Sequence, residues 1–400
     1  MKTLILRLCF CLMPIWMLAS CTKDEFSEPK ASVGTTLNHP NVEGDYSVKS
    51  LQITWKEINS GNEINVSPQP VEATNLTSEL PYGTYIATVQ GEVEIDDAGQ
   101  KKTYAIKGYL DNIVITNATA AVTLDLFLSD PSAKFVFKEI FFTGTLTPEQ
   151  KKYNGDKYFI LQNNSTDTLF ADGLIIAQSS FLTTTKRVYT PDVMSEAFTT
   201  DEIIMLPGSG NEHPVYPGQQ LIIANNAIDH TAYNTNSLDL RNADFEIELI
   251  STINVDNPAV PNTISLAGNL LMHDRGYTSY VLARLPEGMT SAQFLEQTAY
   301  TYSYIGGTGR EMFFDAYKIP NEFVMDAVNL SVAESFEWLV TAPTLDMSWT
   351  YCGKVSSDAN RYGKSVTRKT LSTSNQGLVF LQDTNNSAED FQAETVPSLK

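Results

Sequence analysis

Any reaction centre in this 400-residue chain would have to draw on four histidines, four cysteines and 47 acids set against 27 lysines and arginines. His39, His213, His230 and His273 are scattered one by one. No Cys-x-x-Cys, His-x-His or His-Glu-x-x-His spacing sets two zinc ligands on one turn or helix face. His273-Asp274 is an isolated pair, and the four histidines are expected in turn and surface roles. Gly208-Ser209-Gly210 lacks the outer glycines of a nucleophile elbow. Cys352 reads as a buried, inert thiol. Gly306-Gly307-Thr308-Gly309-Arg310 carries no phosphate-binding lysine and opens no βαβ unit, so it reads as a hairpin or loop. Asp383, Glu389 and Asp390, like Asp96-Asp97, lack the regular spacing of a calcium loop and are expected to be solvated turn acids. The expectation is no catalytic residue, no metal and no cofactor.

One cysteine stands apart. Met1-Lys2-Thr3 and Arg7 make a basic start, Leu8 to Leu18 is almost unbroken apolar sequence, and Leu18-Ala19-Ser20 puts small residues directly before Cys21. That order is the n-region, h-region and cleavage site of a secretory signal. The apolar run is shorter than the roughly 20 residues of a spanning helix. The segment resembles a bacterial lipoprotein signal, which implies removal of residues 1–20 and lipid on Cys21, a surface anchor and not a membrane span. Lys23, Asp24 and Glu25 resemble the export signal that sends Bacteroidetes lipoproteins to the outer face of the outer membrane. The expected location is the outer membrane, lipid-anchored and exposed at the cell surface.

Loss of residues 1–20 removes Lys2 and Arg7 and takes the formal net charge from −20 to about −22. A chain this acidic repels phosphate backbones, which disfavours nucleic acid as a partner. Cys9 and Cys11 leave with the signal and Cys21 would carry lipid, so Cys352 has no partner for an intrachain disulfide. With 42% apolar residues the mature chain can build at least two cores.

Those cores are expected between β-strands. Residues 21–40 are polar and aperiodic and read as a flexible tether. From 41 to 130 short alternating segments recur: Ser47 to Ile58, whose period slips near its start, then Tyr85 to Val89, Thr103 to Tyr109 and Ala121 to Leu128, divided by turn residues such as Asp96-Asp97-Ala98-Gly99. The pattern predicts an antiparallel β-sandwich. Leu80-Pro81-Tyr82-Gly83-Thr84-Tyr85 resembles the strand start of transthyretin-like or carboxypeptidase-regulatory-like sandwiches. There Gly83 would suit a turn of positive φ and Tyr85 would cover the core edge.

Residues 135–400 begin with Phe135 to Phe142, Tyr158 to Ser165 and Leu169 to Ala177. The order of these segments resembles the lamin-tail domain, an immunoglobulin-like sandwich. So do Asp172-Gly173-Leu174, Tyr216 to Ala224, Leu238 to Leu249, Gly363 to Lys369 and Asp383 to Phe391. Pro217-Gly218 predicts a tight turn into a buried strand, and Asn163-Asn164-Ser165 predicts side chains that cap the backbone at a bend. The stretch exceeds the roughly 100–150 residues of a compact domain, with the excess read as insertions at about 180–215 and 255–350. The fold class is therefore all-β: an antiparallel sandwich followed by an expanded lamin-tail-like sandwich with small helical insertions. The whole resembles an uncharacterised family of Bacteroidetes surface lipoproteins.

The larger insertion is expected to form a short helix from Ser291 to Ala299, with Ser291 as N-cap, and one or two helical turns from Phe323 to Leu330. Tyr300, Tyr302, Tyr304, Phe313 and Phe314 are its candidate binding surface, with a small core of their own as the competing reading. Asp167-Thr168-Leu169 resembles a short O-glycosylation sequence, marking Thr168. The leading expectation is a non-catalytic binding or accessory lipoprotein with a surface partner, in one version a TonB-dependent transporter for nutrient uptake. An adhesin or surface-assembly protein and a carboxylate-dependent hydrolase remain the other two classes.

Overall fold

Alternation of buried and exposed residues along long strands builds the first region of the computed structural model, which describes residues 29–40, 45–97, 100–129, 134–165, 167–248, 255–373 and 378–400. Seven strands, β1 (Lys30–Asn38), β2 (Asp45–Glu57), β3 (Glu63–Val66), β4 (Asn75–Pro81), β5 (Gly83–Asp97), β6 (Gln100–Ile115) and β7 (Thr119–Ser129), follow the order β3-β2-β5-β6-β7-β1-β4. Their inward residues, among them Val33, Leu51, Ile53, Trp55, Val89 and Leu124, share one core. The pleat sends every second side chain inward.

Three expectations change here. The tether cannot extend to residue 40, because Ala31, Val33 and Leu37 alternate inward and β1 is paired on both sides. The sandwich is not purely antiparallel, since β1 runs parallel to β7. Gly83 is not a positive-φ residue; a Cβ there would lie 2.9 Å from the Glu57 Cγ, so glycine is needed for close approach. The slip in the β2 alternation is a bulge between Val48 and Ser50. There the Ser50 carbonyl comes so near Gly91 that no Cβ would fit. Tyr85 is buried, sends its hydroxyl to the Pro81 carbonyl at 2.8 Å and meets Trp55 edge-on.

The second region is two facing sheets. One has the strand order Phe245–Glu246, Gln220–Ala224, Tyr158–Asn163, Phe135–Phe141, Ser365–Arg368, Phe391–Thr395. The other runs Ala299–Ile305, Glu311–Pro320, Ala197–Met205, Leu174–Ser179, Tyr280–Arg284, Val324–Val328, with Ile264–Ala267 added beside Ala197–Met205. Phe137, Phe159 and Leu161 of the first sheet meet Ile176, Ile204, Leu282 and Val328 of the second in a shared core. Outer layers cover the other faces, Leu238 and Leu240 over Ile160 and Phe294 over Ile175. Central strands buried on both faces account for the unbroken apolar runs in the sequence.

The stretches read as insertions are integral: 180–215 and 255–350 supply most strands of the second sheet. The helix Ser291–Thr298 is capped by Thr290, with Gln293 completing a capping box, and not by Ser291. Phe323 to Leu330 holds the end of a 3-10 turn, the strand Val324–Val328 and the first residue of the short strand Leu330–Ser331, because its residues pair with Tyr280–Arg284 and with Thr350.

Buried polar side chains tie this region together. Asn163 donates to the Asp167 and Val215 carbonyls and accepts from the Ser165 amide, as the Asn-Asn-Ser bend implied. Asp383 and Asp390 are not solvated. They flank the buried Arg368 guanidinium, which also pairs with Asp326 at 2.6 Å, and Lys134 holds Asp383 from the other side.

Candidate ligand-binding cavity

The turn Tyr153-Asn154-Gly155 brings a strand edge, the Asn225-Asn226 turn and residues 269–272 around a cavity of about 600 Å³. Ile228, Val255, Leu271 and Met272 form apolar wall; Lys152, Tyr153, Lys157, Asn226 and His230 supply polar groups. Gly155 lets the wall close, since a Cβ there would sit 3.3 Å from both the His230 ring and the Tyr153 hydroxyl.

His230 is fully buried in the turn that follows Asp229, so its expected surface role does not hold. Its Nε2 faces the Asn226 carbonyl at 2.9 Å, a pure acceptor, which places the proton on Nε2 and leaves Nδ1 to accept from the Tyr153 hydroxyl at 2.7 Å. Burial pushes the imidazole pKa down and that of neighbouring Asp156 up. Asp156 Oδ2 accepts from Thr145 and Ser237, while its buried Oδ1 has no hydrogen-bond partner among the described residues.

Lys157 is the cavity's buried cation. It donates to the Met272 carbonyl at 2.7 Å, and burial lowers its pKa to about 8. At the rim Lys152 pairs with Asp274 at 3.0 Å. Burial works to raise the Asp274 carboxyl, but hydrogen bonds from Lys152 and Tyr362 and the charges of Lys152 and Arg361 outweigh it and hold the group at about 2. His273 stacks on Tyr277, and burial drives its pKa down to about 4. The cavity therefore presents a titratable ammonium, carboxamides and a neutral imidazole beside apolar wall, a combination suited to binding.

The other sequence candidates lie elsewhere. Cys21, Lys23, Asp24 and Glu25 fall outside the described residues. Tyr300, Tyr302, Tyr304 and Phe314 share one face of the hairpin Ala299–Pro320 and pack with Phe181, Tyr189 and Trp338. Phe314 stacks on Tyr304 at 5.3 Å and on Tyr302 at 5.4 Å, and Arg187 covers Tyr304 at 4.5 Å. Strand alternation turns Phe313 to the opposite face, where it is 66% exposed. The five aromatics therefore do not form one open surface, because four of them fill a small core. Gly306 to Arg310 makes the turn of that hairpin, with the Gly306 amide on the Arg310 carbonyl. Thr168 is exposed in the loop before the short strand Leu169–Phe170, and Cys352 is buried.

Asp172, Glu212 and His213 approach one another closely enough to suggest a cation site. Asp172 instead accepts the backbone amides of Gly210, Glu212 and His213, clamping that loop. Tyr153, Lys157 and Asn226 were missed in sequence. Their signals were a lysine opening the apolar run Lys157-Tyr158-Phe159 and two turn dipeptides, Asn154-Gly155 and Asn225-Asn226, far apart in the chain.

Residues 216–398 match a protein family described as Protein of unknown function (DUF4876). The crystal structure of a DUF4876 family protein from Bacteroides thetaiotaomicron VPI-5482 is similar over 92% of this chain and 98% of that one, at 24% identity and a TM-score of 0.58. That likeness supports the fold. A DUF3823 family protein from Parabacteroides merdae ATCC 43184 aligns with 73% of this chain and 100% of its own at 7% identity, with a TM-score of 0.15 that carries no structural argument. No curated protein matches the chain. Among the described residues no helix is long and apolar enough to cross a membrane.

Proposed function

We propose that the chain is a non-catalytic binding protein of the outer-membrane surface, anchored by lipid on Cys21, and that its C-terminal sandwich takes a small amphipathic ligand bearing an anionic head. The observation that carries this reading is the cavity between Tyr153 and Met272. The Lys157 ammonium donates one of its three protons to the Met272 carbonyl, and no other hydrogen bond engages that ammonium among the described residues. Four apolar side chains line the same space. Both imidazole nitrogens of His230 are engaged by the protein, so the ring orients Tyr153 and is not free to shuttle a proton. Delivery of the ligand to a TonB-dependent transporter is the uptake version of the same role.

The cavity is tested by thermal-shift and calorimetric screening of the purified protein with amphipathic carboxylates and phosphates. A hit whose affinity collapses in Lys157→Met supports it. A panel without hits, or a hit bound equally by Lys157→Met, overturns it. The anchor is tested by metabolic fatty-acid labelling: label lost in Cys21→Ala, with release from membranes, is expected, and an unlabelled native protein rejects it. Pull-down from native envelopes should recover a β-barrel transporter; recovery of fibre or matrix proteins instead would reject uptake.

A further inference from the structure

A second concave surface lies between the two regions, on the outer face of the N-terminal sheet. Strand pairing places Asn65, Thr54 and Thr88 in one row across β3, β2 and β5, and Gln52 beside Gln90 in the next. The pleat that buries Ile53, Trp55 and Val89 beneath them turns these polar groups outward. Across a cleft of about 630 Å³ stand Phe336 and Trp349, their rings parallel within 9° and 4.7 Å apart. Both rings are only half-buried. The two walls are tied at one end, where Gln90 donates to Glu389 at 2.9 Å.

We propose that this cleft binds a neutral glycan chain. The floor carries carboxamides and hydroxyls, each able to donate and to accept, which is the demand of a sugar's hydroxyl edge. The opposite wall is aromatic, which suits the C–H face of a pyranose ring. Charge argues against a polyanion: Glu63 and Glu389 line the cleft, Lys56 is paired with Glu63 at 3.4 Å, and the whole chain has a net charge of −20. The site needs both regions, because the sheet supplies the hydrogen-bonding floor and the C-terminal region supplies the rings.

The test uses the mature lipid-anchored chain, residues 21–400, which lacks Trp16, in detergent with neutral gluco-, manno-, galacto- and xylo-oligosaccharides, a sulfated polysaccharide and an unrelated peptide library as probes. Binding is read by calorimetry and by tryptophan fluorescence; Trp55 and Trp338 are buried, so Trp349 dominates a ligand-induced change. At least one neutral oligosaccharide should bind, weakened about tenfold or more by Trp349→Ala. Asn65→Ala, at an exposed position that leaves the core intact, should weaken it as well, while Lys157→Met should leave it unchanged. Failure of every neutral sugar, equal binding of the sulfated polymer, binding of peptides alone, or indifference to Asn65→Ala overturns the proposal. Because Lys157→Met separates the cleft from the cavity, either site can fail without the other.

Discussion

In the sheet of residues 30–129 the central strands run 13, 15 and 16 residues and bury alternate side chains. In the C-terminal sandwich the strands Phe135–Phe141, Tyr158–Asn163 and Leu174–Ser179, each central in its sheet, are six or seven residues long and nearly every side chain in them is buried. The first region gains its order from one repeated local rule, apolar in and polar out. The second must bury both faces of its sheets, so its loops lie over apolar surface and their backbone groups need internal partners. Asn163, Asp172, Asp346, Arg368 and Asp390 supply them. Asp346 alone accepts from the Asn329, Ser348 and Ser387 amides and the Ser387 hydroxyl. Stability in the first region should therefore respond to side-chain volume, and in the second to single buried polar groups.

Arg368→Met is the strongest way to break that contrast. The guanidinium meets Asp326, Asp383 and Asp390 and donates to the Phe137 and Gln382 carbonyls. Its loss leaves three buried acids with Lys134 on Asp383 and the charge of the buried Lys107 ammonium acting on Asp383 and Asp390. Stripping one partner from a buried ion pair costs about 3–5 kcal/mol. Hydrogen exchange should show lost protection throughout 134–400 and little change in 30–129. Equal loss in both regions would show that they unfold as one unit.

Lys157 offers a pH-resolved version. Its folded pKa of about 8 lies below the ordinary 10.5, so the unfolded chain binds more protons between those values and stability rises as pH climbs through that window. The gain is about 3 kcal/mol by the linkage relation. Lys157→Met should be more stable than wild type at pH 7 and should lose this part of the pH dependence in paired thermal melts. The proposed anionic ligand favours the charged amine, so its affinity should fall as pH rises above about 8. A pH-independent affinity would remove Lys157 from the binding role.

The same contrast explains what was legible in the sequence. Alternation in β2 and β5, the slip that became a bulge at Val48 and the Asn163 bend are local, and they could be read from neighbouring residues. β1 was missed because its short alternation sits in a polar stretch and its partners, β4 and β7, lie about 40 and 90 residues away. The cavity was not legible for the same reason: Tyr153, His230 and Met272 converge only after both sheets have formed. Asp383 and Asp390 look like solvated acids until Arg368 and Lys134 are placed beside them. Within the N-terminal sheet, Ile53→Val should cost about 0.5–1.5 kcal/mol in chemical denaturation. A larger loss would mean that this core, too, depends on a polar network.

The smallest expected effect belongs to the aromatic hairpin Ala299–Pro320, where adjacent residues separate structure from surface. Phe314 lies in a stack with Tyr302 and Tyr304, so its truncation removes ring contacts on both sides. Phe313 is on the opposite face and 66% exposed, so Phe313→Ala should change stability by no more than about 0.5 kcal/mol. Met312 and Ile305 are also exposed nearby, at 43% and 61%. An exposed apolar trio at a hairpin tip would register in partner binding before it registered in folding. If Phe313→Ala leaves both the melting temperature and the envelope pull-down unchanged, this hairpin serves the fold through its inner face alone. Loss of a co-purifying protein at constant stability would place a contact at its tip.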